Sequence, residues 1–564
     1  MKWNIVDGCL ASIIERDETD NVPEGIDLRD GEIVSIRFPN GVHTIGQRIC
    51  RNLTSLETVV IPEGVTSIEY EAFRNCSKLS NVTIPDSVMT IGERAFCDTR
   101  YYMDFENLEN DALYIGNHLI KVRKTLVGDY RIKEGTISIS EYAFENCTNL
   151  TSVIIPDSVV NIGKTAFSGC TSLTNIKIPN GVTSIGYTTF QDCTSLSSIV
   201  IPSSITSIGE KAFYKCTNLT SVIISSGVAN IGKWAFASCS NLTNITIPNG
   251  TTSIGAGAFE NCTNLTSIEI PNNVTSIGET AFKGCTSIKS IEIPNSVTRI
   301  EEETFADCMN LISVVISDGV KRIGGKAFKN CTSLMSISVP NSVTYINYCA
   351  FENCQNLTKV DLSKNITEFL PSIFRGCSNL VSLELPDSID HFFDTDYTFG
   401  MMEALEEITL PKEIRDLPTL FDIEICSDPN EGSYYCIPHG MFQSSKKLKT
   451  ISVPGSVEKI DVCCFADCES LENVILHEGT QLIRDYAFSN SKKLKEVILP
   501  ESLEVIERYA FLDCIELESL HLSPNISLIE EGAFKGCEKL RLTVKTGSYA
   551  ESYAIENGIP FIYV

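Results

Sequence analysis

Apolar side chains recur along this chain in a compound pattern, illustrated by residues 150–172, LTSVIIPDSVVNIGKTAFSGCTS. From Val153 the alternation is strict, with Val153 and Ile155 inward and Ile154 outward, which predicts a short strand preceded by a bend after Leu150. Pro156 ends that strand, because proline has no N–H to give to a ladder. Val159 and Ile162 supply a second inward pair, and Gly163 then marks a backbone with positive φ or a close approach. A short turn of helix is expected next, with small Ala166 against its neighbour, Phe167 filling the centre and Cys170 closing the coil.

The same pattern returns every 23 residues. Its anchor phenylalanine occurs at 144, 167, 190, 213, 236, 259, 282, 305, 328, 351 and 374, and each is followed three residues later by a cysteine. No single coil can bury its apolar side chains alone, so a fixed period of this length predicts a solenoid stabilised by stacking. The frame begins near Ile33–Pro39, passes through Leu56–Pro62 and Leu79–Pro85, and resumes at Phe442, Phe465, Phe488, Phe511 and Phe534. The expected fold is a β-rich solenoid, elongated and curved, of about 21 turns, each a short strand plus a short helical turn. Residues 1–32 read as an N-terminal cap, 33–386 as regular solenoid with an irregular turn at 100–129, and 387–441 as an irregular acidic and aromatic segment. Residues 442–540 read as solenoid again and 541–564 as a C-terminal cap, with a helix over 548–558 stopped by Gly558 before a last strand. ALYIGNHLIKV within 100–129 reads as a variant turn, and the 68 residues from Phe374 to Phe442 as three turns less one.

Charge narrows the partners. The net charge of −27 makes nucleic acid and anionic membrane poor partners, since phosphate binding needs clustered Lys and Arg. No stretch is apolar enough to insert in a bilayer, and MKWNIVDGCLASIIERDETD is not a signal peptide, so the chain is expected inside the cell or as a mature form. Of 23 cysteines, fifteen occupy the slot after the anchor aromatic, where other turns carry Leu53, Thr99, Ser445 and Ser491. That interchange predicts buried, reduced packing thiols, although stacked cysteines would lie within disulfide range. No paired CxxC, GxSxG, HExxH or P-loop is present, so no catalytic residue, metal site or cofactor is assigned.

Two surfaces are candidates for binding. The outward position of the strand reads Ile154, Lys177, Val200, Ile223, Thr246, Glu269 and Glu292, aliphatic at first and acidic later, beside a column of small polar residues such as Ser198 and Ser221. A docking face and a merely solvated sheet both fit that pattern. In the irregular segment, Phe392, Phe393, Tyr397, Tyr434 and Tyr435 are either exposed anchors or fillers of distorted coils.

The repeat LxxIxIPxxVTSIGxxAFxxC, as in IPNGVTSIGYTTFQDC at 178–193 and IPNNVTSIGETAFKGC at 270–285, resembles the BspA-type leucine-rich repeats over nearly the whole chain. The resemblance implies a leucine-rich-repeat solenoid, a surface or secreted location, and adhesion or host-protein binding, with no shared catalytic residues. The resulting expectation is a monomeric, non-catalytic scaffold that binds a protein or glycan through the concave strand face and the irregular segment. A structural spacer or self-assembling surface protein is the alternative, and an enzyme or metal site in 387–441 the remote one.

Overall fold

Pro156, Pro179 and Pro202 end strands that pair in parallel at a register of 23 residues: Ser198 faces Ser221, Val200 faces Ile223 and Ile201 faces Ile224. The computed structural model describes residues 33–38, 40–370, 372–389, 399, 402, 404–412 and 439–564, with the backbone of 3–6, 9–13, 391–392 and 436–437. The chain forms two units, 1–273 and 274–564.

In the first unit each coil carries two strands. The longer, such as Ser198–Ile201 and Ser221–Ile224, alternates exposed and buried residues. The shorter, such as Ser184–Ile185 and Ser207–Ile208, pairs with its counterpart one coil on. The anchor rings of Phe144, Phe167, Phe190, Phe213, Phe236 and Phe259 form a column with centroids 4.8–5.6 Å apart. All six are fully buried.

The segment after each glycine is not a helical turn. It is a run of β-turns that alternates two kinds of hydrogen bond. Ala166, Ser168 and Cys170 donate three residues back within the coil, to Gly163, Thr165 and Phe167. Thr165, Phe167 and Gly169 donate instead to the carbonyls of Tyr187, Thr189 and Gln191 on the next coil. A helix would use every amide internally and leave that second ladder unmade. The alternation requires left-handed backbone at Thr165 (φ 59°) and Gly169 (φ 71°). The second of these slots is filled mostly by Asn, Asp or Gly, the residues that enter this region most readily. Gly163 has a different role: a Cβ there would lie 2.4 Å from the Glu141 backbone nitrogen, so of the two readings close approach holds and positive φ does not.

The 100–129 irregularity is a hairpin rather than a variant turn. Strand Ala112–Ile115 runs antiparallel to His118–Val122 around Gly116, whose φ of 58° suits a tight connection. His118 and Leu119 then pair in parallel with Ser138 and Ile139, which returns the chain to the solenoid frame. A four-residue helix, Arg100–Met103, capped by the Thr99 hydroxyl, precedes the hairpin.

The second unit repeats the architecture. Phe282, Phe305, Phe328, Phe351 and Phe374 stack at 5.4–5.5 Å, and Phe442, Phe465, Phe488, Phe511 and Phe534 at 5.0–5.5 Å. Strand Glu407–Thr409 pairs with Ser382–Glu384 on one side and with Thr450–Val453 on the other, and Phe399 stacks directly on Phe442 at 5.2 Å. Two coil steps, not three, therefore separate Phe374 from Phe442, the second of them lengthened. The helix Tyr549–Asn557 ends in left-handed Gly558 (φ 65°), and Tyr553 meets Phe534 edge-on. Strand Phe561–Tyr563 then pairs with Arg541–Val544.

Candidate binding face

Strand alternation fixes what each long strand presents to solvent. On the first unit Ile154, Lys177, Val200, Ile223, Thr246 and Glu269 are exposed, one per coil, while their flanking neighbours Ile199, Ile201, Val222 and Ile224 are buried. Ile154 is 46 % exposed, Val200 56 % and Ile223 58 %, and the last two lie directly opposite each other across adjacent strands. Lys177 sits 3.6 Å from Asp157. On the second unit Glu292 is exposed in the same position, directly opposite Val315.

A row of threonine hydroxyls runs beside this face. Thr174, Thr220, Thr243 and Thr266 each donate a side-chain hydrogen bond to the carbonyl one coil earlier, at 3.0–3.3 Å. Their hydroxyls are thus engaged along the solenoid. In the second unit apolar side chains interrupt that ladder before it resumes at Thr358: Ile312 and Met335 occupy positions of this row and Met309 one of a second threonine row, and all three are exposed, as is Val315. Sequence reasoning missed this cluster because it followed the two strand columns and not the positions before them. Of the aromatic candidates, the backbone of Phe392 lies in the strand His391–Phe392, but its side chain and Phe393, Tyr397, Tyr434 and Tyr435 lie outside the described residues.

Most slot cysteines are buried and engaged. Most donate the thiol to the carbonyl of the anchor phenylalanine 26 residues earlier, as Cys193 does to Phe167 at 3.2 Å, whereas Cys76 donates to the Cys50 carbonyl and Cys147 to that of Arg123. The Phe167 carbonyl also accepts the Cys170 amide, so both its lone pairs are used. Burial pushes the Cys262, Cys308 and Cys377 thiols up to about 12, far from a thiolate nucleophile. The described cysteines are thiols rather than disulfides. His118 is fully buried between the Ser138 hydroxyl (2.9 Å) and the Pro85 carbonyl (3.2 Å), and burial lowers its pKa. Among the described residues no three His, Cys, Asp or Glu side chains converge as a metal-holding group, and no helix is long and apolar enough to cross a membrane.

Parallel strands in 23-residue register, an inward aliphatic frame and a ring column define a leucine-rich-repeat scaffold. The family model for the BspA type leucine rich repeat region (6 copies) matches residues 29–126, 114–243, 231–333, 298–421 and 436–557. The chain belongs to that family. Among solved structures it is similar to a leucine-rich repeat protein from Bacteroides ovatus, at 28 % identity over 69 % of this chain and 93 % of that one, with a TM-score of 0.44. It is also similar to the pneumococcal vaccine antigen PcpA, at 17 % identity over 81 % and 98 % of the two chains, TM-score 0.34. A leucine rich cell surface protein from Faecalibacterium prausnitzii shares 20 % identity over 84 % and 92 %, TM-score 0.26. No match was found among curated proteins.

Proposed function

We propose that the chain is a non-catalytic scaffold that captures a protein or glycan on the exposed face of its long strands, in adhesion or partner recognition. The observation that carries this reading is the pair Val200 and Ile223. Two large aliphatic side chains stand opposite each other in solvent on a backbone fixed by the coils on either side. Apolar anchors on a preorganised surface bind with little ordering cost. The acidic column residues Glu269 and Glu292, each on its own unit, add selection for partners that carry positive charge or hydroxyl donors. Part of the proposal is a further contact through 387–441, carried by Phe392, Phe393, Tyr397, Tyr434 and Tyr435. The chain acts as a monomer in this reading, which light scattering at high concentration tests directly.

The binding test compares the wild type with the triple variant Ile154→Asp, Val200→Asp, Ile223→Asp on a printed glycan array and a panel of purified extracellular-matrix proteins. These positions are exposed, so the variant is expected to keep its circular dichroism spectrum. Capture weakened about tenfold or more supports the strand face. Undiminished capture by a folded variant removes the face from the reading. Replacing 387–441 with regular turns asks the same question of the irregular segment.

A further inference from the structure

The hairpin leaves a gap in the first unit. In regular coils the turn segment donates alternate amides to the next coil, and the ladder runs unbroken up to Glu71, Phe73 and Asn75, which donate to Glu93, Ala95 and Cys97. It stops there. Beyond its pairing with Ser138–Ile139, strand His118–Val122 runs on extended where the next turn segment would begin, and there Val122 donates across to the Ala143 carbonyl at 3.0 Å. A cavity of about 650 Å³ opens between the segments 91–97 and 140–145. Its apolar wall includes Leu108, Ile120 and the ring-bearing Tyr102.

The polar wall carries both signs of charge, Glu93, Asp104, Glu141 and Glu145 among them. The backbone amides of Arg94 and Phe96 occupy the positions that donate to a following coil, and they have no acceptor among the described residues. Ser140, 4 % exposed, has a buried hydroxyl without a partner. Four cations line the cavity, and three have carboxylates: Arg94 with Glu93 at 3.3 Å, Arg123 with Asp111 at 3.2 Å and Lys124 with Glu145 at 3.5 Å. Lys121, half-buried, donates to the Tyr102 carbonyl at 2.6 Å and lies over the Tyr102 ring, with no carboxylate among the described residues. The acids of the lining are themselves engaged, since Glu141 accepts the Glu93 amide at 2.9 Å and Asp104 the Glu106 amide at 3.0 Å. In a chain of net charge −27, a half-buried lysine with no carboxylate partner among the described residues lines the same cavity as two N–H groups without acceptors there, an arrangement that favours a bound anion.

We propose that this cavity is a binding site for a small organic carboxylate, its apolar body over Leu108, Ile120 and Tyr102 and its carboxylate held by Lys121 and the Arg94 and Phe96 amides. This assigns a small-molecule site separate from the strand face.

Calorimetric titration of the full chain with 4-phenylbutyrate, 4-phenylbutanamide and 4-phenylbutylamine tests it. The carboxylate is expected to bind saturably at one site, at least about tenfold tighter than the isosteric amide, with the amine weakest. Lys121→Met is expected to remove that preference and Lys121→Arg to retain it. Absence of saturable carboxylate binding, or equal affinity for the carboxylate and the amide, overturns the proposal. The ranking of the three probes needs only the wild type, so it decides the matter even if the Lys121 variants fail to fold.

Discussion

At the scale of single residues, the carbonyl of each anchor phenylalanine explains why its neighbours are what they are. Phe190 accepts the Cys216 thiol at 3.1 Å, and Ser491 makes the same bond to Phe465 at 2.8 Å. In these coils the slot holds a small buried donor, whereas Leu53 fills it without one and the Ser445 hydroxyl there finds no partner. Cys216→Ser is expected to stay within about 1 kcal/mol of the wild type in urea unfolding, and Cys216→Val to cost about 1–3 kcal/mol more. Thiol titration of the native chain is expected to label the part-exposed Cys97, Cys349, Cys463 and Cys537 first, and the buried slot cysteines only on unfolding. Phe236→Ala, between rings at 5.2 and 5.6 Å, should cost about 3–5 kcal/mol in the same assay. Gly163→Ala drives a Cβ into backbone at 2.4 Å, whereas at Gly186 the nearest atom is the flexible Lys164 Cγ at 3.3 Å. Gly163→Ala is thus expected to cost about 1–3 kcal/mol and Gly186→Ala to be near neutral. The sequence made the burial of these cysteines legible through Leu53 and Ser491. Where each thiol hydrogen goes was not legible, because periodicity reports size and not bonding direction.

At the scale of elements, the strands were readable because alternation and proline mark them. The turn run was not. An Ala-Phe pair after glycine suits a helical turn equally well, and only the stacked coil decides that Phe167 donates outward to Thr189. The hairpin at 112–122 carried a local sign, Gly116-Asn117 between apolar runs, that a strict search for period 23 passes over. A period of 23 suggests three coils between Phe374 and Phe442, where one near-ordinary step supplies the ring of Phe399 and one lengthened step reaches Phe442. His118 gives the hairpin a pH dependence. Its folded pKa lies below the ordinary 6.5 because burial penalises the imidazolium, outweighing the Pro85 carbonyl and Asp86. The unfolded state therefore binds the proton more readily, and stability present above pH 6.5 is lost as pH falls through the folded pKa. The melting temperature should drop between about pH 8 and about pH 5.5, and His118→Asn should flatten that drop. An equal slope in both proteins would assign it to other groups. Glu141, whose carboxyl burial raises, acts in the opposite sense at lower pH and is common to both.

At the scale of the molecule, the net charge of −27 sets a self-repulsion that no single ion pair offsets. Raising sodium chloride from about 10 to about 150 mM should raise the melting temperature, since exposed charges more than a Debye length apart are then screened. A fall would show that surface pairs such as Lys539 with Glu516 matter more than the overall repulsion. The strand column was legible because every second residue must face solvent. The exposed Met309, Ile312 and Met335 and the cavity beneath the hairpin were not, since both arise where one coil departs from the average of its neighbours.

The one-way amide ladder has a consequence for how such a chain can lengthen. In the turn run a regular coil such as 163–170 offers N–H groups toward the next layer and C=O groups toward the previous one, while its strand segments donate the other way, as Gly163 does to Ile139. Copying 23 residues in frame creates a new junction whose donors and acceptors already match, whereas copying 22 or 24 would set amide against amide. Genes for such proteins are thus free to gain or drop whole layers by recombination, while any smaller change must be absorbed, as at 112–122, by a local structure that leaves bonds unmade.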